Sequence, residues 1–325
     1  MSGFKHILEA LAVGDAMGMP TEFMAQSDIA EIYPHISGLL DPSCSYTHPE
    51  LPFASVTDDT EQNLYLIQAY VKEKQITVEN SAAALSRWVS ECRAVERKYI
   101  GPSSLKALQA IEQGVSPQEA GRGGTTCGGI MRTPALVLCS GNATQDVLLG
   151  NIRKGCIPTH NTSQAIEAAA GYGFALRAAI QGGTMEQILD AAQVGIRMAL
   201  GSMDYVAAAP SCSYRLTRLR NRPYENREQM CEDLYYNYGT GLPSIDIFTA
   251  VFALLIYYKT DVFQGICTAA SLGGDTDTIG ALYGALAAAF AQGHNIPSQI
   301  VQKVTKENNL HLDSLSEEIQ QTFWV

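Results

Sequence analysis

The chain has no C-x-x-C pair, no H-x-x-x-H spacing and no surplus of positive charge. Its eight cysteines and six histidines therefore offer no zinc site of ordinary ligand spacing. The thiols read as reduced and mostly core-filling. A net charge of -11 excludes a binder of the nucleic-acid backbone, which needs a basic patch to release counterions. It leaves room for a small phosphorylated ligand, for which a few local donors suffice. The longest apolar runs, Ile247 to Tyr258 and Ile279 to Ala291, fall short of the ~20 residues that cross a bilayer. The start, Met1-Ser2-Gly3-Phe4-Lys5-His6, leads into an amphipathic helix and not a signal-peptide core. A cytoplasmic protein with neither membrane nor nucleic-acid partner is expected. Linkers, low-complexity tracts and fixed-period repeats are missing too. Although 325 residues allow about two domains, one domain over 1–325 is expected. Alternating β-branched runs are scarce, and Leu136-Val137-Leu138 is the best strand-like trio.

What is present is helical periodicity. Phe4, Ile7, Leu8 and Leu11 share one face, as do Leu64, Ile67 and Val71, and Ala165, Ala168, Ala169, Tyr172 and Leu176. Met185 to Leu200 and Asp246 to Tyr258 also read as helix. Small residues such as Gly280 and Gly284 would let helix backbones approach closely. With hydrophobic content of 46%, the expectation is an all-α domain around one large core. Function is sought in the loops 12–24, 40–60, 93–104, 121–134, 154–164, 202–245 and 272–279. The Tyr- and Arg-rich 202–245 segment reads equally as a lid or as an oligomer contact, so the oligomeric state stays open.

Two acidic clusters stand out: Thr57-Asp58-Asp59, and Asp275-Thr276-Asp277-Thr278, entered through Gly273-Gly274 and left through Gly280. Each lies where a polar loop meets an apolar helical stretch. Taken singly, each reads as readily as a helix N-cap. Together they hold more carboxylates than capping uses. Carboxylates beside Thr hydroxyls form an all-oxygen site, suited to Mg²⁺, Mn²⁺ or Ca²⁺. Two facing half-sites would hold two metals. The run Gly121-Arg122-Gly123-Gly124-Thr125-Thr126-Cys127-Gly128-Gly129 precedes a helix expected from about Ile130. Its backbone N–H groups could meet an anion, or it could be a plain connector. It lacks the strand and the spacing of a dinucleotide fingerprint.

The set Gly14-Asp15-Ala16-Met17-Gly18-Met19-Pro20-Thr21-Glu22, Thr57-Asp58-Asp59-Thr60, Gly128-Gly129-Ile130-Met131-Arg132 and Gly273-Gly274-Asp275-Thr276-Asp277-Thr278-Ile279-Gly280 resembles the ADP-ribosylglycohydrolase family. The motifs occur in the family's order and span nearly the whole chain. The resemblance implies an all-α fold with a central two-metal site, usually Mg²⁺ or Mn²⁺, and cleavage of a glycosidic bond at C1 of ribose. It implies Thr57, Asp58, Asp59, Asp275, Asp277 and Thr278 as metal ligands, and Glu22 and Asp59 as catalytic carboxylates. Gly128, Gly129, Met131, His160 and Tyr99 would line the substrate pocket. Asp15 is expected to brace its loop.

The chain departs from the pattern in two places. Relatives that release ADP-ribose from arginine often carry Asp-Ile-Gly-Asn-Thr-Thr where this chain has Tyr99-Ile100-Gly101-Pro102-Ser103-Ser104. Cys127 stands where an Asn usually opens the Met-Arg motif. An intact metal core with altered loops implies a hydrolase for an ADP-ribosyl or simpler ribosyl conjugate, with a small ribosylated metabolite or nucleoside as rival substrate. The alternatives are a non-catalytic, crystallin-like binding protein, which should have lost its carboxylates first, and a two-metal phosphohydrolase, which should show basic residues near the acidic clusters.

Overall fold

The computed structural model describes residues 3–201 and 205–324. Among these residues there is no strand, and a single antiparallel bridge joins Thr126 to Pro243. The first half comprises α1 (Lys5–Gly18), α2 (Gln26–Ile32), α3 (Asp58–Glu73), α4 (Val78–Glu91), α5 (Pro102–Glu112), α6 (Pro117–Ala120), α7 (Thr133–Leu138) and α8 (Gln145–Cys156). There follow α9 (Ser163–Ile180), α10 (Met185–Leu200), α11 (Cys212–Asn221), α12 (Arg227–Glu232), α13 (Ser244–Tyr258), α14 (Val262–Ala269), α15 (Thr276–Ala291), α16 (Ser298–Glu307) and α17 (Leu312–Phe323). No described helix is long and apolar enough to cross a membrane.

α15 is buried from Thr276 through Ala289 and takes the centre, as a helix apolar on all sides must. α1, α9, α13 and α14 pack around it. The tightest pairing is with α1, and the reason is residue size. A methyl group on Gly14 would lie 2.1 Å from the Gly280 carbonyl oxygen, and one on Gly18 would lie 2.3 Å from that of Thr276. Gly284 meets the Ala10 carbonyl in the same way, at 2.3 Å. The two helices therefore run antiparallel with backbone against backbone. α1 is consequently buried over most of its circumference, wider than the single face Phe4, Ile7, Leu8 and Leu11 suggested.

Four readings are corrected. The trio Leu136-Val137-Leu138 is helical, inside α7, because burial on every side gives a short apolar run no sheet to join. α1 extends through most of the expected 12–24 loop, to Gly18. The 202–245 segment contains α11, α12 and a π-helix over Asp233–Tyr238, with Ser211 and Asn226 capping α11 and α12; irregular chain remains only around these elements, and 202–204 lie outside the described residues. The helix expected from about Ile130 begins at Thr133, since residues 127–132 are taken up by turns.

Candidate active site

The acidic clusters face each other because α1 and α15 do. Asp15, buried inside α1, accepts the Thr57 N–H on both oxygens at 3.0 Å and the Thr57 hydroxyl at 2.7 Å. It also accepts the Thr60 N–H at 3.0 Å and its hydroxyl at 2.6 Å. Asp15 thus satisfies the free N–H groups that open α3, a task Thr57 as N-cap residue does not perform with its own side chain. Bracing is what the sequence suggested for Asp15, and its target is α3.

Freed from capping, the Thr57 hydroxyl also lies 3.4 Å from Asp277 Oδ2. The Thr278 hydroxyl donates to Asp59 Oδ2 at 3.0 Å in the opposite sense, and Thr278 N–H to Asp277 Oδ1 at 2.9 Å. Each cluster therefore reaches across to a carboxylate of the other. Asp58 accepts from Gln62 at 2.9 Å on its own helix. The loop before α15 is fixed by backbone: Gly273 and Gly274 have φ of +78° and +81°, and a Cβ on Gly274 would sit 2.2 Å from the Thr240 carbonyl. Asp275 N–H donates to that carbonyl at 2.7 Å, and Phe23 N–H to the Gly274 carbonyl at 2.7 Å. This last bond brings Glu22 to the loop. Oxygens of Glu22, Asp275 and Asp277 lie within 4.8 Å of one another.

Among the described residues, none of Asp15, Glu22, Asp58, Asp59, Asp275 and Asp277 forms an ion pair with Lys or Arg. Asp59 Oδ1 and Asp275 Oδ2 are buried without any partner. Burial, followed by Glu22, holds the Asp58 and Asp277 carboxyls well above the usual range, and burial followed by Asp58 does so for Asp59. Burial lifts Asp275 to about 6, and Asp15 to about 6 despite its four donors. Packed carboxylates of this kind need compensating positive charge. The donor set, oxygen only, fits a hard divalent cation.

The other expected pocket residues lie on two sides. His160 is fully buried, with Nε2 2.8 Å from the Thr126 hydroxyl and Nδ1 3.0 Å from Arg132 Nη2. Since a guanidinium can only donate, Nδ1 is the acceptor and the proton sits on Nε2. Burial, reinforced by Arg132, holds His160 neutral. The His160 ring lies against Gly128, where a Cβ would be 2.5 Å from Cε1, and its Cβ lies behind Gly129. The Met131 carbonyl accepts from Asn63 of α3 at 2.8 Å. Cys127 lies beside Asp275, and burial, then that carboxylate, keeps its thiol protonated. On the other side Tyr99 is buried, with its ring edge-on to His48 and its hydroxyl accepting from Arg97 at 2.8 Å. Thr47 and His48, both touching Glu22, were not singled out from the sequence; a lone His in an irregular loop carries no pattern that would reveal it.

The described residues thus form an all-helical fold that gathers an acidic centre of oxygen donors. The family model for ADP-ribosylglycohydrolase matches residues 4–324, and the chain belongs to that family of hydrolytic enzymes. It is 28% identical over 297 residues to the uncharacterized protein YegU of Escherichia coli, covering 88% of this chain and 87% of the other. It is 25% identical over 312 residues to the ADP-ribosyl-[dinitrogen reductase] glycohydrolase of Rhodospirillum rubrum, covering 94% and 92%. A solved structure described as an ADP-ribosylglycohydrolase-related protein complex superposes with a TM-score of 0.69 at 22% identity, covering 99% of both chains. That likeness extends to the fold.

Proposed function

We propose that the chain, acting as one unit over 1–325, is a metal-dependent glycohydrolase cleaving the bond at C1 of ribose in an ADP-ribosyl or simpler ribosyl conjugate. The observation that carries this reading is the interlock of Thr57 with Asp277 and Thr278 with Asp59, beside the Glu22, Asp275 and Asp277 oxygens. Thr57, Asp58, Asp59, Asp275, Asp277 and Thr278 would hold two divalent cations, Mg²⁺ or Mn²⁺. When bound, these supply Lewis acidity and a grip on the ribose hydroxyls. The unpartnered oxygens Asp59 Oδ1 and Asp275 Oδ2 suit that task.

The protein's own groups do the rest. Ribosyl cleavage passes through an oxocarbenium-like transition state, and carboxylates converging on one point stabilise positive charge developing at C1. Glu22 Oε2 is engaged by the Thr47 hydroxyl at 3.0 Å and by His48 at 3.3 Å, which leaves Oε1 to take the proton of the attacking water. Asp59 holds its side of the centre in register with Thr278. Gly128, Gly129 and Met131 would form the wall that His160 backs, and Tyr99 would close the opposite side through His48.

For the leaving group we propose an uncharged or planar aglycone, carried by a small ribosylated molecule, over arginine on a protein. Tyr99 and Pro102 stand where a carboxylate and an Asn would favour a guanidinium, and charge-assisted pairs of that kind exceed neutral hydrogen bonds. The eight free thiols support a cytoplasmic location and the net charge of -11 supports the absence of a nucleic-acid partner. The test is a one-pot competition of ADP-ribosylated arginine peptide, O-acetyl-ADP-ribose and a nucleoside panel with the Mn²⁺-loaded protein. Turnover of the ribosyl metabolites with poor release from arginine is expected. Efficient release from arginine and none from the others would remove the specificity assigned to Tyr99.

A further inference from the structure

Glu22 presents a physical problem. It follows the turn Met19–Thr21, carries a flexible side chain, and points toward Asp58, Asp275 and Asp277, carboxyls that repel it whenever they ionise. Repulsion and side-chain entropy both favour turning it outward. Something must hold it in.

Two groups touch its Oε2, the Thr47 hydroxyl at 3.0 Å and His48 Nε2 at 3.3 Å. His48 is 3% exposed, so its ring is set by packing and not by solvent. The Tyr99 ring stands edge-on to it, with centroids 5.1 Å apart and planes at 89°. Tyr99 is fixed in turn by Arg97, whose guanidinium lies 4.3 Å over the ring while Nη2 donates to the hydroxyl at 2.8 Å. Arg97 also reaches Glu61 Oε1 at 3.4 Å, and Trp88 Nε1 donates to Glu61 Oε2 at 2.8 Å. Glu61 belongs to the first turn of α3, the turn that carries Asp58 and Asp59. The row Glu61–Arg97–Tyr99–His48–Glu22 therefore begins on one element bearing site carboxylates and ends on another.

We propose that His48 is the positioning residue for Glu22, and that Arg97 and Tyr99 hold His48 in register with α3. The proposal rests on the reading of Glu22 as part of the cation-binding centre. His48 donates from Nε2 to Glu22 and keeps the carboxylate facing Asp275 and Asp277. The edge of Tyr99 prevents the imidazole from swinging away. Arg97, half-exposed at 39%, clamps Tyr99 to Glu61 and so passes the position of α3 along the row.

The probe is Mn²⁺ alone, titrated calorimetrically into the full chain. His48→Phe keeps an aromatic ring in place and removes the donor, and its Mn²⁺ affinity should fall about 10- to 100-fold, as on loss of a contact that orients a ligand. His48→Gln restores an N–H donor at similar reach and should recover most of that loss. Arg97→Met, at a site where folding is least threatened, should shift affinity in the same direction by a smaller factor. The metal-free unfolding midpoint of His48→Gln should match the wild type. Equal loss in His48→Phe and His48→Gln would reduce the residue to packing and overturn the donor role. Wild-type affinity in His48→Phe and Arg97→Met, with a loss in Glu22→Gln, would overturn the row while leaving Glu22 in the centre. Unchanged affinity in Glu22→Gln itself would instead remove the reading beneath it.

Discussion

Asp59 and Asp277 each give an oxygen to a threonine of the opposite cluster, so both are posed before any cation arrives. Replacing either by Asn removes one charge at nearly constant volume. Asp59→Asn and Asp277→Asn should therefore keep the native circular dichroism while turnover falls at least ~100-fold, the upper end of what loss of even a supporting contact costs a metal centre. Near-native activity in a folded Asp277→Asn protein would defeat the metal reading. The same carboxylates make stability depend on pH. Asp15 and Asp275 rise from 3.8 to about 6 in the fold, so their contribution is full below the unfolded value and is lost as pH climbs through about 6. Asp58, Asp59 and Asp277 push the same way at higher pH. The metal-free midpoint should fall as pH rises across that window, and Mg²⁺ should restore it most at the upper end. A metal-free midpoint that climbed with pH would show that the fold itself stabilises the ionised carboxylates and would overturn this reading.

Among elements, the α1–α15 contact carries the geometry of the site. A methyl group on Gly280 would sit 2.5 Å from the Gly14 carbonyl oxygen, and that neighbour is backbone, which cannot step aside. Gly280→Ala should destabilise by ~1–3 kcal/mol or more in chemical denaturation, as overpacking does, and should weaken Mn²⁺ binding by displacing Asp277 from Thr57. The glycines and the acid clusters were legible because size and charge recur in a pattern. α11 and α12 were not, since their arginines and tyrosines leave few apolar residues at helical spacing. Nor was the course of the chain around Tyr99, where Arg93 and Lys98 adopt φ of +53° and +58° without the glycine that would announce such turns. His48 escaped for a related reason, since its partners Glu22 and Tyr99 are brought to it by the fold alone.

At the scale of the molecule, a cation that binds only the folded centre should raise apparent stability by ~2.7 kcal/mol at a hundred-fold excess over Kd. A thermal-shift series with Mg²⁺ and Mn²⁺ reads this directly, and Asp58→Ala should abolish the shift; an undiminished shift would place the ions elsewhere. The backbone contact between α1 and α15 also has a temporal meaning. One half of the centre, from Asp15 to Asp59, leaves the ribosome long before the half from Asp275 to Thr278. Until α15 emerges, the Gly14 and Gly18 face of α1 has nothing to close upon, and contacts between segments so distant in sequence are slow to form. A nascent chain halted before α15 can therefore hold no competent centre.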